Sequence, residues 1–352
     1  MTYKVVQWAT GSVGNASLKE IIRHPDLELV GLRVYGKDKV GKDAGVLAGG
    51  DPVGVIATDS IEDILATSCD VVVHTPRAAG QMDQMMNDLE RLLRAGKNVI
   101  SVAIGIAPER HGPAFVKRLE DACRAGGSTY HATGIDPGFL CDRLPATLTG
   151  LSQDVTHIRM VEIADLRFHP NPAMMMELLG FGMKVEDFKP DPTNPGLVYC
   201  VELLPEAVVA LFDLLQVPFD RLEIDPPTVV CASKELDLPS GIIRKGTIAG
   251  ITWMFKGYRP GDASDQPYVT HQWSWYVEPN LPGMPESDGR YQIRLDIEGR
   301  PTLKTVVDIT DPEDHIFFPT AMATIRAIPE VVKAPPGILR AKVFAPWSPR
   351  MP

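Results

Sequence analysis

Short runs rich in valine and isoleucine recur through the first 135 residues, and helical patterns separate them. The runs are "YKVVQWA", "LELVGLRVY", "VGVIAT", "DVVVHTP", "NVISVAI" and "STYHATG"; the helical stretches include "GNASLKEIIRHP", "QMDQMMNDLERLLRAG" and "PAFVKRLEDACRAG". A strand that is apolar at nearly every position must be covered on both faces. Strands joined through helices run parallel by crossover, so this pattern demands a buried parallel sheet with helices on each side. The expectation is an α/β fold whose first domain is a Rossmann-type, doubly wound parallel sheet.

The texture changes near residue 150, after "GIDPGFLCDRLPATLTGL". Long alternating runs follow without interposed helices: "DVTHIRMVEIADL", "TVVCASKELDL", "GIIRKGTIAGITWMFKGY", "YVTHQWSWYV" and "RYQIRLDI". These read as a mostly antiparallel sheet, with "PAMMMELLGF" and "PEAVVALFDLLQV" as helical inserts, hence a second α+β domain. The last helix, "PTAMATIRAIPEVV", ends at "KAPPG" and is expected to return to the first domain. With 352 residues there is chain enough for two cores. The expected division is 1–145 for nucleotide binding, 146–312 for substrate binding and dimerisation, and 313–352 for the returning helix and tail.

Composition removes several classes of function. A net charge of -10 disfavours nucleic acid as a partner, since phosphate binding needs a concentrated basic surface. No apolar run approaches the roughly 18 residues of a membrane span. No basic segment with a following apolar stretch precedes the first strand, so a cytoplasmic protein is expected. The five cysteines are scattered, without C-x-x-C spacing, and predict neither a zinc site nor a disulfide framework. Signatures of serine hydrolases, zinc proteases and Walker-type ATPases are missing. The expected partners are a small-molecule substrate and a second copy of the chain, a homodimer through the second domain's sheet.

The stretch "QWATGSVGNASL" carries the pattern A-x-G-x-x-G between the first strand and the first helix. Gly11 lets a pyrophosphate approach the backbone, and Gly14 lets the helix pack close to the strand. With Thr10 alongside, the N–H groups of Ser12, Val13 and Gly14 then face the phosphates, assisted by the helix dipole. At the end of the second strand, where an acid would hold the 2′-hydroxyl of NAD, the residues are Arg33, Val34 and Tyr35. Arg33, backed by Lys37 and Lys39, suits a 2′-phosphate, and Tyr35 or Arg33 is placed to stack on adenine. NADP is therefore favoured; NAD stays open because Asp38 can turn toward the ribose. Thr75, Pro76 and Arg77 end the fourth strand beside the expected nicotinamide ribose, and Ala103 to Gly105 end the fifth beside the ring.

The glycine turn, "KVGKDAG", "ATGIDPGFLCDRLP" and "AMATIRAIPEVVKAPPGI" together resemble the family of 2,4-diaminopentanoate dehydrogenase and the native amine dehydrogenases. That family is distantly similar to dihydrodipicolinate reductase in its N-terminal domain. The resemblance spans nearly the whole chain and is weakest through about residues 165 to 245. It implies an NAD(P)-dependent enzyme acting at a C=O or C=N centre, commonly dimeric, with substrate held between two domains. Amine-forming members carry a glutamate after the fifth strand, where this chain has Ala103, Ile104 and Gly105. The family's G-x-N-P-G-F is here "GIDPGF", with Asp136 in place of asparagine. The paired-histidine motif of true dihydrodipicolinate reductases has no counterpart.

Reduction of a carbonyl or imine needs a group that protonates or stabilises the developing anion. Asp136 lies in a glycine-rich loop at the carboxyl edge of the sheet, although Asp before Pro is also a common turn former. His271 stands in the aromatic strand "YVTHQWSWY", and Glu162 with Asp165 in "MVEIADL", where a structural ion pair is the alternative. His169 and Thr320 are secondary candidates, Thr320 being equally a helix cap. Trp253, Trp273, Met175 and Met176 suit either a plain core or a pocket for a bulky apolar substrate. Three readings follow: an amine dehydrogenase, a carbonyl reductase that does not use ammonia, and an NADP(H)-binding sensor without catalysis.

Overall fold

The computed structural model describes residues 2–76, 82–189, 200–286, 291–311 and 317–349. In chain order the first elements are β1 (Tyr3–Trp8), α1 (Ser12–Arg23), β2 (Leu27–Arg33), α2 (Ala44–Leu47), β3 (Ala57–Thr58) and α3 (Ile61–Ala66). Next come β4 (Val71–His74), α4 (Met82–Arg94), β5 (Asn98–Ser101), α5 (Pro113–Gly126) and β6 (Thr129–Ala132). The middle of the chain supplies α6 (Arg143–Thr149), β7 (Gln153–Asp165), α7 (Glu206–Leu214), β8 (Arg221–Ile224), β9 (Thr228–Cys231), β10 (Leu236–Leu238) and β11 (Gly241–Ile243). After β12 (Ile248–Tyr258), β13 (Val269–Tyr276), β14 (Tyr291–Arg300) and β15 (Leu303–Ile309), the chain ends with α8 (Phe317–Lys333) and β16 (Gly337–Ile338).

Two compact units result: Met1–Phe139 with Ile316–Ala341, and Leu140–His315 with Lys342–Pro352. In the first unit all pairings of the seven-stranded sheet β16-β6-β5-β4-β1-β2-β3 are parallel. This is the doubly wound order, reversing direction between β1 and β4, with one added edge strand. Val5, Val71, Val73 and Ile100 of the sheet pack with Ile21 of α1 and with Ile325, Ile328 and Val331 of α8. The apolar stripe of α8 explains its place: its buried positions, Ala321, Thr324, Ile325, Ile328 and Val331, recur at helical spacing.

The second unit is built on the sheet β15-β14-β7-β13-β12-β8, with β9 also paired to β12. Every pairing in it is antiparallel except β7 with β13. The exception follows from connectivity: the chain leaves β7, forms α7 and β8 to β12, and only then lays β13 beside it. Two runs that read as single strands are interrupted. In "TVVCASKELDL" the backbone N–H and hydroxyl of Ser233 both donate to the Glu278 carboxylate, which draws the chain off the sheet after β9. In "GIIRKGTIAGITWMFKGY" a turn closed by Thr247 N–H on the Arg244 carbonyl separates β11 from β12. "PAMMMELLGF" forms a π-helical turn, Ala173–Leu178, with Met175 buried.

Helix α7 rests on β12 at Gly257, where an added Cβ would lie 2.6 Å from both Val208 and Phe212. Only a residue without a side chain permits that approach. Gly257→Ala is therefore expected to cost about 1–3 kcal/mol through overpacking, read as a lower denaturant midpoint at unchanged m-value. A variant as stable as the parent would show that α7 is not held at this distance.

Candidate active site

At the carboxyl end of β1 the chain turns under tight constraint. Ala9 takes a left-handed backbone (φ 75), which costs a non-glycine residue energy. Buried Gln7 secures it, its amide nitrogen donating to the Ala9 carbonyl and to the Thr75 hydroxyl, each at 2.9 Å. Thr75 in turn donates to the Trp8 carbonyl at 2.9 Å. A Cβ on Gly14 would fall 2.3 Å from the Ala9 carbonyl oxygen and 2.6 Å from the Thr75 hydroxyl, so α1 reaches β1 only because that position is glycine. Nothing lies within 4 Å of the equivalent point on Gly11. Helix α1 starts there with no side-chain cap and no acid in its first turn. Room beside Gly11 and an uncapped, positive helix end suit an anion.

The cations of this region are unequally occupied. Lys37 is ion-paired with Asp59, and Lys39 donates to the Thr10 carbonyl and hydroxyl, both at 3.1 Å. Arg33 lies with its guanidinium carbon 4.4 Å from the Trp8 ring centroid and 4.5 Å from that of Tyr35. Its Nε and Nη1 are shielded from solvent and meet no acceptor. Pro76 follows Thr75 at the end of β4; Arg77 lies outside the described residues. Ala103 is buried beyond β5, its N–H donating to the Ser101 hydroxyl at 3.1 Å. That hydroxyl is 3.0 Å from Nδ1 of His74, an imidazole held down to about 3 by burial and then by the charge of Arg33. Asp136 occupies a closed loop in which Phe139 N–H bonds the Gly134 carbonyl, and both its carboxylate oxygens are shielded from water.

In the second unit, strand register gathers a different set. Phe255 faces His271, and His271 faces Met160; one step along, Trp253 faces Trp273 and Trp273 faces Glu162. Period-two alternation puts these side chains on one sheet face, and all are buried. Glu162 accepts a 2.7 Å hydrogen bond from the Trp275 indole. His271 lies 3.8 Å from the Cys141 sulfur; burial lowers its pKa to about 4, with the charge of Glu162 working in the opposite direction. Asp165 is engaged elsewhere, its carboxylate gripping the Arg167 guanidinium at 2.6–3.0 Å. His169 accepts from Asn171 N–H through Nδ1 at 3.2 Å. Thr320 is the fourth described residue of α8, inside the helix rather than its cap.

Sequence reasoning overlooked Gln7, His74, Cys141 and Trp275. Gln7 and His74 had a signal, each being a polar residue in an otherwise apolar buried strand. Cys141 and Trp275 had none, because their roles come from partners 130 and 113 residues away.

A parallel sheet of this order, with a glycine turn and an anion-receptive helix at β1, is a Rossmann-type arrangement. The chain is an NAD(P)-dependent dehydrogenase. It belongs to the family described as the 2,4-diaminopentanoate dehydrogenase C-terminal domain, which matches residues 139–345. It is 29% identical over 351 residues to an amine dehydrogenase of Streptomyces virginiae, covering 96% of this chain and 94% of the relative. It is 25% identical over 347 residues to 2,4-diaminopentanoate dehydrogenase of Acetoanaerobium sticklandii, covering 95% and 91%. The solved structure of an amine dehydrogenase from Mycobacterium smegmatis shares the fold, with a TM-score of 0.78 at 20% identity over 96% and 95% of the two chains.

The two buried imidazoles make stability depend on pH in a defined sense. Folding depresses both, to about 3 for His74 and about 4 for His271, below the ordinary value of 6.5. As pH falls, the unfolded chain takes up these protons first, so their contribution is full above about 6.5 and is lost progressively toward 4. Chemical denaturation at pH 5 should show a loss on the order of 4 kcal/mol relative to pH 7.5 from the pair. His271→Leu should flatten that slope; an unchanged slope would mean that the imidazole is solvated.

Proposed function

We propose that this dehydrogenase prefers NADP(H) and exchanges hydride with the carbonyl or imine carbon of an apolar ketone or aldehyde, the imine leading to the corresponding amine. The observation that carries the reading is the dry aromatic face of the second unit, where Glu162 and His271 sit among Trp253, Phe255, Trp273 and Trp275. Such a surface favours an apolar substrate and strengthens any charge interaction made on it. The names of two relatives, an amine dehydrogenase and 2,4-diaminopentanoate dehydrogenase, supply the chemical class.

The first unit suits the nucleotide: space at Gly11, the open N-terminus of α1 for the pyrophosphate, and Arg33 for a 2′-phosphate. Nicotinamide, when bound, is the hydride donor or acceptor. The protein's task is then to move a proton to or from the oxygen or nitrogen of the substrate. His271, with a pKa near 4, is neutral at pH 7 and acts as a hydrogen-bonding group there rather than as an acid. Carboxyl groups are left for proton transfer: Glu162, fixed by the Trp275 indole, and Asp136, shielded in its loop. In the amine-forming direction either must also receive ammonia, because Ala103 brings no carboxylate after β5.

That alanine favours a second reading, a carbonyl reductase indifferent to ammonia. We further propose that the enzyme is a cytoplasmic homodimer. The opposite face of the second sheet mixes Arg159, Gln272, Arg294, Asp296 and Lys304 with Val161 and Val306, a two-sign surface that a second copy complements by two-fold symmetry.

NADPH consumption with apolar ketones, with and without ammonium, separates the readings. Ammonium-dependent turnover is expected; equal rates without ammonium identify the carbonyl reductase, and nucleotide binding without turnover identifies a sensor. Glu162→Gln should lower kcat at least about 100-fold while leaving NADPH affinity unchanged, and a variant with full kcat would pass the proton role to Asp136.

A further inference from the structure

The aromatic face of the second unit's sheet carries Trp253, Trp273 and Trp275, and their indole donors are used unequally. Trp253 of β12 stands opposite Trp273 of β13, which stands opposite Glu162 of β7. Trp275, two residues along β13, donates its indole N–H to the Glu162 carboxylate at 2.7 Å. The indole N–H groups of Trp253 and Trp273 are shielded from solvent and meet no acceptor. Both side chains are buried, at 3% and 0% exposure. A buried N–H without an acceptor costs free energy, which an acceptor brought in by a ligand recovers. Two of them on facing residues mark a place where an acceptor belongs.

The rings that carry these donors are packed against neighbours. The Trp253 ring lies within 3° of parallel to that of Phe255, with centroids 6.4 Å apart, and the Trp273 ring lies 4.0 Å from that of Trp275. Since Trp275 is bonded to Glu162, the Trp273 ring and the carboxylate belong to one patch. Charge then decides which acceptor fits. Three rows cross β7, β13 and β12 here, those of Met160, Glu162 and Ala164, and none holds a lysine or arginine. The acid in them is Glu162, and His271 is kept neutral at pH 7 by burial. A carboxylate arriving beside these indoles would meet neutral donors and a like charge, whereas an uncharged oxygen meets the donors without the repulsion.

We propose that Trp253 and Trp273 determine specificity as hydrogen-bond donors, and that the substrate carries, besides its carbonyl or imine carbon, a second, uncharged oxygen that accepts from them, as the ether oxygen of an alkoxy ketone does. The inference rests on the apolar-substrate reading above and narrows it: the body of the substrate is apolar and one atom of it is not. Selectivity follows from the asymmetry of buried hydrogen bonds. A ketone with a methylene at that position leaves both indoles unpaired, whereas an oxygen there, with two lone pairs, relieves them.

Methoxyacetone and 2-pentanone, which differ by an oxygen in place of a methylene, test this on the full chain with NADPH, with and without ammonium. The parent should show a kcat/KM for methoxyacetone at least about tenfold above that for 2-pentanone, and levulinate, whose second oxygens are charged, should fall below both. Trp253→Phe and Trp273→Phe keep an aromatic ring and remove the N–H. Each should lower the methoxyacetone to 2-pentanone ratio about fivefold; the intrinsic reactivity of each ketone cancels in that comparison, and a merely structural role would leave the ratio unmoved. Thermal melts verify that the variants fold, and if one does not, the other and the parent's own ratio carry the test. A parent that prefers 2-pentanone or levulinate, or a ratio that neither variant moves, overturns the inference alone and leaves the two indoles to bound water. A parent that turns over none of the three ketones overturns the apolar-ketone reading, and the inference with it.

Discussion

Everything at the nucleotide end depends on how closely α1 approaches β1. With Gly14 in contact with the Ala9 carbonyl and the Thr75 hydroxyl, the first helical turn is pressed to the end of the central strand. Ala9 beside it takes a left-handed backbone, and Gln7 and Thr75 supply the hydrogen bonds that hold it there. Thr75, which the sequence suggested as a ribose contact, thus spends its hydroxyl proton inside the protein. Strain at one residue is offset by three hydrogen bonds from a buried amide and a buried hydroxyl, and the uncapped helix end is what remains for a ligand.

Charge is managed differently in the two units. The first keeps cations and gives most of them partners, so that Arg33 is distinguished less by being basic than by being unspent. Its field also helps keep His74 neutral, which prevents a second positive charge from forming beneath Trp8. The second unit excludes water from the titratable groups on the aromatic face of its sheet, Glu162 and His271. His271 is neutral there for the same reason, desolvation, while Glu162 accepts a hydrogen bond from the Trp275 indole. Asp165, three residues on, is held instead by the Arg167 guanidinium.

The architecture was legible because its signals are periodic. Apolar runs separated by helices specify a parallel sheet, and alternating runs without helices specify an antiparallel one. The exceptions arose where a tertiary hydrogen bond overrode local pattern: Glu278 captures Ser233 and splits a run that reads as one strand, and β13 lies parallel to β7 because of what the chain builds between them. At the site, the glycine turn could be read directly, since each glycine answers to a steric demand. The partner of Glu162 could not, because alternation along a strand says which face a side chain takes but not which indole will reach it. The same holds for Arg33: its position after β2 was readable, and its contacts with the Trp8 and Tyr35 rings were not.

The family relationship sharpens the remaining chemical problem. Where the family resemblance leads one to expect a glutamate after the fifth strand, this chain has Ala103, Ile104 and Gly105, and the N–H of Ala103 is bonded to Ser101. Ser101 in turn contacts His74, so the end of β5 is closed into a small, uncharged network rather than left open for a carboxylate. A substitution of alanine by glutamate there would bring an anion toward an imidazole held neutral by burial, and would tend to protonate it. The network at β5 and the absence of the glutamate are therefore one feature. The carboxyl group on the second unit's aromatic face is Glu162, bonded to the Trp275 indole and close enough to His271 to raise its pKa.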